Sequence, residues 1–295
     1  MKVLFLVNPR SGVRRRDDIS TLIGDSCREL ATDHNLQHCE RKEDLDEIIA
    51  NAEREGFEII YAVGGDGTVH EIAKRLIGRN LTLGILATGS GNGFARHLGL
   101  PAEPRDSLAA CHSGATITVD TAEVNGQPFL GVLGLGLDAV IAARFASSEI
   151  RGMRTYLAEG LRAFRAFAPE SYEITLDGQV SHRSAYVVAV ANSSQYGNNA
   201  RIAPFASLQD GLLNLVTVAD VSIFSAPMLL VRLFNGTLNK SSRVSVSEGR
   251  EIVIRRAGPG PAHLDGEPVD LPAELHVRVR PRSLKVLVPS AATRV

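Results

Sequence analysis

Residues 57–68 read Phe-Glu-Ile-Ile-Tyr-Ala-Val-Gly-Gly-Asp-Gly-Thr. The apolar run that ends at Val63 has the length of a buried strand, and a glycine-rich loop follows it at once. We interpret Thr68-Val69-His70-Glu71 as a capping box, in which Thr68 caps a helix and Glu71 reaches back to it. The glycines then lie between the carboxyl end of a strand and a helix N-terminus, where N–H groups and the helix dipole favour an anion.

A second glycine-rich loop strengthens this prediction. Residues 87–93 read Ala-Thr-Gly-Ser-Gly-Asn-Gly, between the apolar run Leu81–Leu86 and a short predicted helix that ends near Leu98. Ligands of parallel α/β sheets bind at the carboxyl ends of strands. Two such loops on consecutive strands therefore predict a phosphate site more strongly than one loop, for which a tight turn without ligand is the alternative.

The chain changes character near residue 115. Before it, the apolar run Val3–Val7 and the two runs above alternate with helical spacings over residues 17–33 and 44–55, which predicts a parallel sheet with helices on both faces. After it, short strand-like segments dominate and predict a mostly antiparallel sandwich. These segments are residues 116–124, 127–133, 172–176, 183–191, 213–218, 243–246, 251–256, 275–279 and 284–288, with helices predicted over 137–148, 153–167 and 222–233.

Composition excludes several classes of protein. The formal net charge of -1 argues against a dedicated nucleic-acid binder, which would show a strongly basic face. Cys27, Cys39 and Cys111 form no C-x-x-C pair, so neither a disulfide framework nor a zinc site is indicated, and a reducing cytoplasm is expected. No apolar stretch approaches the roughly 20 residues that span a bilayer.

Several nucleotide-binding motifs are missing from the sequence. It contains no G-x-x-x-x-G-K-[ST] P-loop and neither the H-R-D nor the D-F-G motif of protein kinases. The loop after the first strand reads Asn8-Pro9-Arg10-Ser11-Gly12, which does not match the dinucleotide fingerprint G-x-G-x-x-G.

The motifs that are present resemble those of the diacylglycerol kinase catalytic-domain superfamily, and of its bacterial soluble lipid kinases in particular. The resemblance begins with Asn8-Pro9-x-Ser-Gly, the loop at 64–68 and Gly-Ser-Gly-Asn at 89–92. It continues in the second part of the chain through Asn192-Ser193-Ser194, Tyr196-Gly197, Ala203-Pro204-x-Ala206, Asp210-Gly211-Leu212-Leu213 and His263-Leu264-Asp265-Gly266-Glu267.

The resemblance implies two domains with an active site in the cleft between them. The first is an α/β nucleotide-binding domain over residues 1–118 with a return strand in 284–295, and the second is a β-sandwich domain over 119–283. The implied ATP-binding residues are Asn8, Gly64, Gly65, Asp66, Gly67, Thr68, Val69, His70, Ser90 and Asn92. Ser90 stands where the family usually has Thr, and the neighbourhood of a second nucleotide-contacting Thr holds Cys39 or Glu40.

Three acidic residues are predicted to be catalytic. Phosphoryl transfer needs a cation on the phosphates and a carboxylate that orients the attacking hydroxyl. Asp66, inside the phosphate loop, is expected to hold Mg²⁺, directly or through water. Asp265-Gly266-Glu267 could be an ordinary hairpin turn, but the resemblance implies a functional role, with Glu267 as the base and Asp265 beside it. Spacing alone leaves open which of these two accepts the proton.

A second, structural Mg²⁺ is implied by the resemblance alone. Its ligands would be Asp210 and the main-chain carbonyl groups of Ser207 and Leu212.

A basic helix is predicted over residues 151–167. Arg151, Arg154, Arg162 and Arg165 fall on one side of its apolar face, where they could meet anionic headgroups. An ordinary surface helix is the alternative, and the pattern favours it slightly.

Together these features predict an ATP- and Mg²⁺-dependent lipid kinase with a diacylglycerol-like or sphingoid-like acceptor. An NAD kinase or phosphofructokinase is a second interpretation, since both share the Gly-Gly-Asp-Gly-Thr loop. A nucleotide- or lipid-binding regulator without catalysis is a third. The expected partners are a lipid substrate and the surface of a membrane, with no nucleic acid, and a homodimer is one option for the oligomeric state. The expected location is the cytoplasm or the inner face of the membrane.

Overall fold

The computed structural model describes residues 2–9, 16–147, 164 and 166–292. These residues form two compact units, Met1–Asp120 with Pro281–Val295, and Thr121–Arg280. The arginines of the predicted basic helix, and nearly all of its residues 151–167, lie outside the described part of the chain.

The helices of the described part are α1 (Arg16–Glu29), α2 (Leu45–Arg54), α3 (Asp66–Leu76), α4 (Gly93–His97), α5 (Pro104–His112), α6 (Leu137–Ser147) and α7 (Ala226–Phe234). Its strands are β1 (Lys2–Val7), β2 (Asp33–His38), β3 (Ile59–Gly64), β4 (Thr82–Ala87), β5 (Ala115–Val124), β6 (Gln127–Phe129), β7 (Val132–Gly136), β8 (Glu170–Leu176), β9 (Gln179–Ala185), β10 (Val187–Ala191), β11 (Leu213–Val218), β12 (Val244–Gly249), β13 (Glu251–Arg255), β14 (Gly260–Leu264), β15 (Glu267–Leu271) and β16 (Glu274–Val288).

The first unit is built on a parallel sheet. Its strands follow the order β2-β1-β3-β4, and Lys285 and Val286 of β16 pair in parallel with β4. Helix α1 packs with α5, and α2 packs with α3. The α/β prediction is therefore confirmed. Strand β2 was not predicted, because Asp-His-Asn-Leu-Gln-His has no apolar run and its residues are alternately exposed and half-buried.

The second unit is a sandwich of two antiparallel sheets, as predicted. One sheet has the order β12-β11-β10-β7-β14-β15. The other joins the first half of β16 to β13, β8 and β9. Side chains from both sheets meet in one core, among them Val188 and Leu213 from the first sheet and Ile174 and Ile252 from the second.

Helix α7 covers the outer face of the six-stranded sheet. Its Leu229 packs in a second core cluster with Ala189, Ala191 and Val216. In the described part of the chain, no helix has both the length and the apolar character required to cross a bilayer.

Several strand boundaries differ from the prediction: the predicted strand 183–191, for example, is divided between β9 and β10. Two further differences are explained by tertiary contacts. The predicted strand 127–133 is divided into β6 and β7, since the Gly131 carbonyl turns aside to accept the N–H groups of Asn192 and Ser193. The segments predicted over 275–279 and 284–288 are one strand, β16, which continues through Arg282 at φ 49°. The Asp120 carboxylate holds that position by accepting the Arg282 N–H at 2.7 Å.

The predicted capping box is wrong. Helix α3 begins at Asp66, with Gly65 as its N-cap and no side-chain cap. The Thr68 N–H donates to the Gly65 carbonyl instead, so Thr68 lies inside the first turn. Glu71 does not reach back, because its carboxylate pairs with Lys42, Lys74 and Arg75 at 2.7–3.2 Å. Burial raises the pKa of Glu71, but the hydrogen bonds from these cations outweigh it and lower the pKa to about 2.

We expect Glu71→Gln to lower the free energy of unfolding by about 2 kcal/mol at neutral pH, because three charge-assisted contacts are lost. The pKa of Glu71 is lower in the folded chain than the ordinary value of 4.5. Its contribution is therefore complete above that value and is lost as the pH falls toward about 2.

Urea unfolding of the parent chain and of the variant at several pH values measures this contribution. A difference in stability that stays constant down to the lowest pH would contradict the assignment. Glu47→Gln, on the neighbouring helix α2, is a control that should change little.

Candidate active site

The two glycine-rich loops are joined by the carboxylate of Asp66. Its Oδ2 accepts the Asn92 N–H at 2.7 Å and its Oδ1 accepts the Gly93 N–H at 2.8 Å. Asn92 is held at φ 52° and donates its side-chain amide to the Gly89 carbonyl at 2.8 Å. Because β3 and β4 are paired neighbours, the structure brings Gly64–Thr68 and Ser90–Asn92 together at the carboxyl edge of the sheet.

The glycines are required by the close approach of these loops to each other. A Cβ on Gly89 would lie 2.7 Å from the Gly65 Cα, and a Cβ on Gly91 would lie 2.8 Å from Asp66 Oδ2. A Cβ on Gly64 would lie 2.4 Å from the Thr68 hydroxyl. At these three positions, glycine therefore leaves room for the protein's own atoms.

Asn8 brings the first strand to the same edge. Its N–H donates to the Val63 carbonyl at 3.1 Å, and its side-chain amide donates to the Thr68 hydroxyl at 3.0 Å. Val69 and His70, also predicted to contact ATP, are 4% and 8% exposed. We therefore expect them to meet a ligand mainly through the main chain.

In the second unit, Asp265 and Gly266 form the turn between β14 and β15. Their φ angles of 53° and 84° are those of a tight hairpin, in which Leu264 pairs with Glu267. The hairpin interpretation of this motif is therefore correct for the local structure. The Asp265 carboxylate also accepts the N–H groups of Leu130, Gly131 and Val132 at 2.7–2.9 Å. These bonds fix the turn and leave Glu267, half-buried, as the first residue of β15.

A buried polar cluster supports the turn from behind, and the sequence did not predict it. Asp138 Oδ2 accepts the Tyr196 hydroxyl at 2.6 Å and lies 3.0 Å from His263 Nε2. The Gly266 N–H donates to His263 Nδ1 at 3.2 Å. A Cβ on Gly134 would lie 2.1 Å from the histidine ring, so glycine is needed there as well. Helix α6, the loop after β10 and strand β14 bring these distant residues together, which is why no sequence pattern reveals the cluster.

Two influences on the protonation of His263 oppose each other. Burial lowers the pKa of His263, but the charge and hydrogen bond of Asp138 and the charge of Asp265 raise it, and the net direction is upward. The Gly266 N–H, however, needs a lone pair on Nδ1. We therefore assign the neutral ring to the folded chain at neutral pH, with its proton on Nε2 toward Asp138. A second proton would break the bond to the turn.

The predicted metal loop is a tight turn on the surface. The Leu212 N–H donates to Asp210 Oδ1 at 2.9 Å, and the Gln209 N–H donates to the Ser207 hydroxyl at 3.2 Å. The described residues contain no cluster of three or more His, Cys, Asp or Glu side chains that could hold a metal ion. A cation here would depend on the Asp210 carboxylate and main-chain carbonyl groups, an all-oxygen set that suits Mg²⁺.

Two protein families match the chain in sequence. The YegS C-terminal NAD kinase beta sandwich-like domain matches residues 131–288, more than half of the chain. The diacylglycerol kinase catalytic domain matches residues 2–124. The second match confirms the resemblance predicted from the motifs.

Three curated relatives are each 28% identical in sequence to this chain. The diacylglycerol kinase of Bacillus subtilis is 28% identical over 236 residues, 75% of this chain and 77% of the relative. The protein named "Probable lipid kinase YegS-like" of Citrobacter koseri is 28% identical over 257 residues, 84% of each chain. An uncharacterized Synechocystis protein is also 28% identical, and this chain spans only 56% of its length.

Solved structures show the same fold. The crystal structure of a diacylglycerol kinase from Bacillus anthracis superposes with a TM-score of 0.76 at 22% identity, covering 99% of this chain and 98% of that one. Another solved chain from the same organism has a TM-score of 0.82 at 24% identity, with the same coverage.

We expect Gly89→Ala to lower the free energy of unfolding by about 2 kcal/mol, because the added methyl group overlaps the Gly65 backbone, which cannot rotate away. It should also weaken ATP binding at least tenfold, since the loops are pushed apart. Urea unfolding and calorimetric ATP titration measure the two effects.

Gly24→Ala is the matched control, because a Cβ there, within helix α1, meets no atom within 4 Å. It should raise stability by about 0.5–1 kcal/mol and leave ATP binding unchanged. Equal behaviour of the two variants would contradict the role given to Gly89.

We expect Asp138→Ala to lower the free energy of unfolding by about 3 kcal/mol, since it leaves the buried His263 Nε2–H without its acceptor. Asp138→Asn, which keeps one oxygen, should lose less. Asp270→Ala, at an exposed position of the same hairpin, is the control. If Asp138→Ala is as stable as that control in urea, the cluster does not support the turn.

Proposed function

This chain belongs to the diacylglycerol kinase and YegS family, and we propose that it is an ATP-dependent lipid kinase that phosphorylates the hydroxyl group of a diacylglycerol-like or sphingoid-like lipid. The observation that carries the proposal is the Asp66 bridge, which holds two glycine-rich loops side by side at the carboxyl edge of a parallel sheet.

ATP binding is assigned to the first unit. The N–H groups at the start of α3 are suited to the phosphates, because a helix N-terminus carries partial positive charge. Asn8 fixes the Thr68 hydroxyl beside them. The family resemblance gives Ser90 and Asn92 the same role, and both lie on the loop that Asp66 holds in place.

Proton transfer is assigned to Glu267. The Asp265 carboxylate accepts three main-chain N–H groups and is thereby used to hold the turn. We therefore assign Asp265 a positioning role. In the reaction, the lipid oxygen attacks the γ-phosphorus, its proton passes to the Glu267 carboxylate, and the bond from the γ-phosphorus to the bridging oxygen breaks to release ADP.

Mg²⁺ bound with ATP would neutralise charge on the phosphates. Asp66 is the residue proposed to hold it, because its carboxylate lies between the two glycine-rich loops and carboxylate oxygens are the ligands that Mg²⁺ prefers. Asp210 with the carbonyl groups of Ser207 and Leu212 would hold a second, structural ion.

The acceptor is proposed to be a lipid because two relatives of this chain are named a diacylglycerol kinase and a lipid kinase. Labelled ATP and Mg²⁺, offered with a panel of diacylglycerol, sphingoid base, phosphatidylglycerol and isoprenoid alcohol, identify it. Transfer to NAD in place of every lipid would favour the NAD kinase interpretation.

We expect Glu267→Gln to reduce kcat for lipid phosphorylation by about a hundredfold or more, because the hydroxyl loses its proton acceptor. ATP affinity should stay unchanged. Glu248→Gln, at an exposed position on β12 of the same sheet, is the matched control and should retain full activity. Unchanged lipid phosphorylation by Glu267→Gln would overturn the assignment of the base.

A further inference from the structure

The outer face of helix α7 and of the turn before it is apolar and exposed. Eight large apolar side chains are exposed in the described part of the chain, and five of them lie within residues 223–231. These five, which we call the Phe224 face, are Ile223 (52% exposed), Phe224 (92%), Met228 (58%), Leu230 (38%) and Val231 (58%).

The Phe224 face is built into the fold. Met228 and Val231 are three residues apart on α7, which places their side chains on one side of the helix. Phe224 lies in the turn just before the helix. The opposite side of α7 is already used, since Leu229 is buried against the six-stranded sheet. A helix that only covers a sheet has a polar outer side. This one is apolar on both sides, as expected of a helix that meets a second apolar environment.

Phe224 is held in place rather than carried on a loose loop. The Ser222 carbonyl accepts the N–H groups of Ser225 and Ala226, at 3.0 and 2.9 Å. The Ser222 N–H donates to the Ser225 hydroxyl at 2.9 Å, and the Ser225 N–H donates to the Ser222 hydroxyl at 3.2 Å. Two reciprocal hydrogen bonds thus fix the turn that presents Phe224.

The segment that carries the face is net positive, with three cations between the flanking acids Asp220 and Glu248. Between residues 221 and 247 the sequence has Arg232, Lys240 and Arg243 and no Asp or Glu. The Arg201 N–H donates to the Leu233 carbonyl at 2.9 Å, which places a further arginine beside the end of α7. The nearest preceding acid in the sequence is Asp220, whose main-chain carbonyl accepts a bond from Arg243.

We infer that the Phe224 face is the surface by which this chain binds an anionic lipid bilayer, with its apolar side chains at the level of the headgroups and its cations on the lipid phosphates. Aromatic and aliphatic side chains beside lysine and arginine are the pattern of helices that lie in the membrane interface. In a symmetric dimer through this face, the same cations of two copies would be brought together. The charge therefore favours a bilayer over a second copy. The inference rests on the proposed function, which places the substrate in such a bilayer.

Vesicle sedimentation of the full chain without ATP tests the inference independently of catalysis. Vesicles of phosphatidylcholine and phosphatidylglycerol in equal parts are compared with vesicles of phosphatidylcholine alone. We expect the double variant F224S/M228S to bind the anionic vesicles at least about tenfold more weakly than the parent chain, because two apolar anchors are lost. Lys240→Glu should weaken binding to the anionic vesicles only.

Val180→Ser is the matched control, since Val180 is an exposed apolar residue (60%) on β9, in the other sheet. It should bind vesicles like the parent chain. Binding by F224S/M228S that equals that of this control overturns the inference. A thermal midpoint of the double variant well below that of the parent also overturns it, because the face would then be covered within the chain. The inference is also overturned if the parent chain is a dimer, the double variant is a monomer, and the two bind vesicles equally.

Kinase assays separate this inference from the proposed function. With a short-chain diacylglycerol dissolved as monomers, F224S/M228S should be as active as the parent chain, and with long-chain lipid in vesicles it should lose activity. If the parent phosphorylates no lipid but binds anionic vesicles through the Phe224 face, the proposed function fails and the surface stands.

Discussion

The carboxylate of Asp66 is the interaction on which the geometry of the phosphate loops depends. It is the first residue of α3, yet both of its oxygens accept N–H groups from the next loop, at Asn92 and Gly93. One charge therefore fixes the start of α4 and keeps two glycine-rich loops in contact. Because Gly65 and Gly89 meet backbone to backbone, the arrangement leaves little room for either loop to move by itself.

The second unit uses the same physical device at another turn. There the Asp265 carboxylate accepts three consecutive main-chain N–H groups at the break between β6 and β7. The pair of Asp138 and His263 then fixes the far side of the turn through the Gly266 N–H. In both units, an acidic side chain predicted to be catalytic first satisfies backbone donors, which a buried loop must pair to avoid a penalty. Such a carboxylate positions a site whether or not it also meets a ligand.

Apolar surface is distributed unevenly over the second unit. Between the two sheets it is buried, and α7 buries more of it on the outer side of one sheet. The outer side of α7 itself stays apolar and exposed. Under the proposed function, the substrate is a lipid, and this surface is the one through which we propose that the chain meets the bilayer.

The sequence by itself determined the fold class, the order of the strands with continuous apolar runs, and the phosphate loops. Strands β1, β3 and β4 each contain a continuous apolar run, so their burial follows from local composition. Polar strand β2, the break at Gly131 and the unbroken strand β16 were decided by tertiary structure, because pairing partners far along the chain supply their hydrogen bonds. The candidate site is divided in the same way. Its motifs, Gly64–Thr68 and Asp265–Glu267, can be identified from the sequence. The hydrogen bonds of the Asp66 and Asp265 carboxylates to main-chain N–H groups exist only after folding. So does the cluster of Asp138, Tyr196 and His263. Each of them joins residues that are far apart in the sequence.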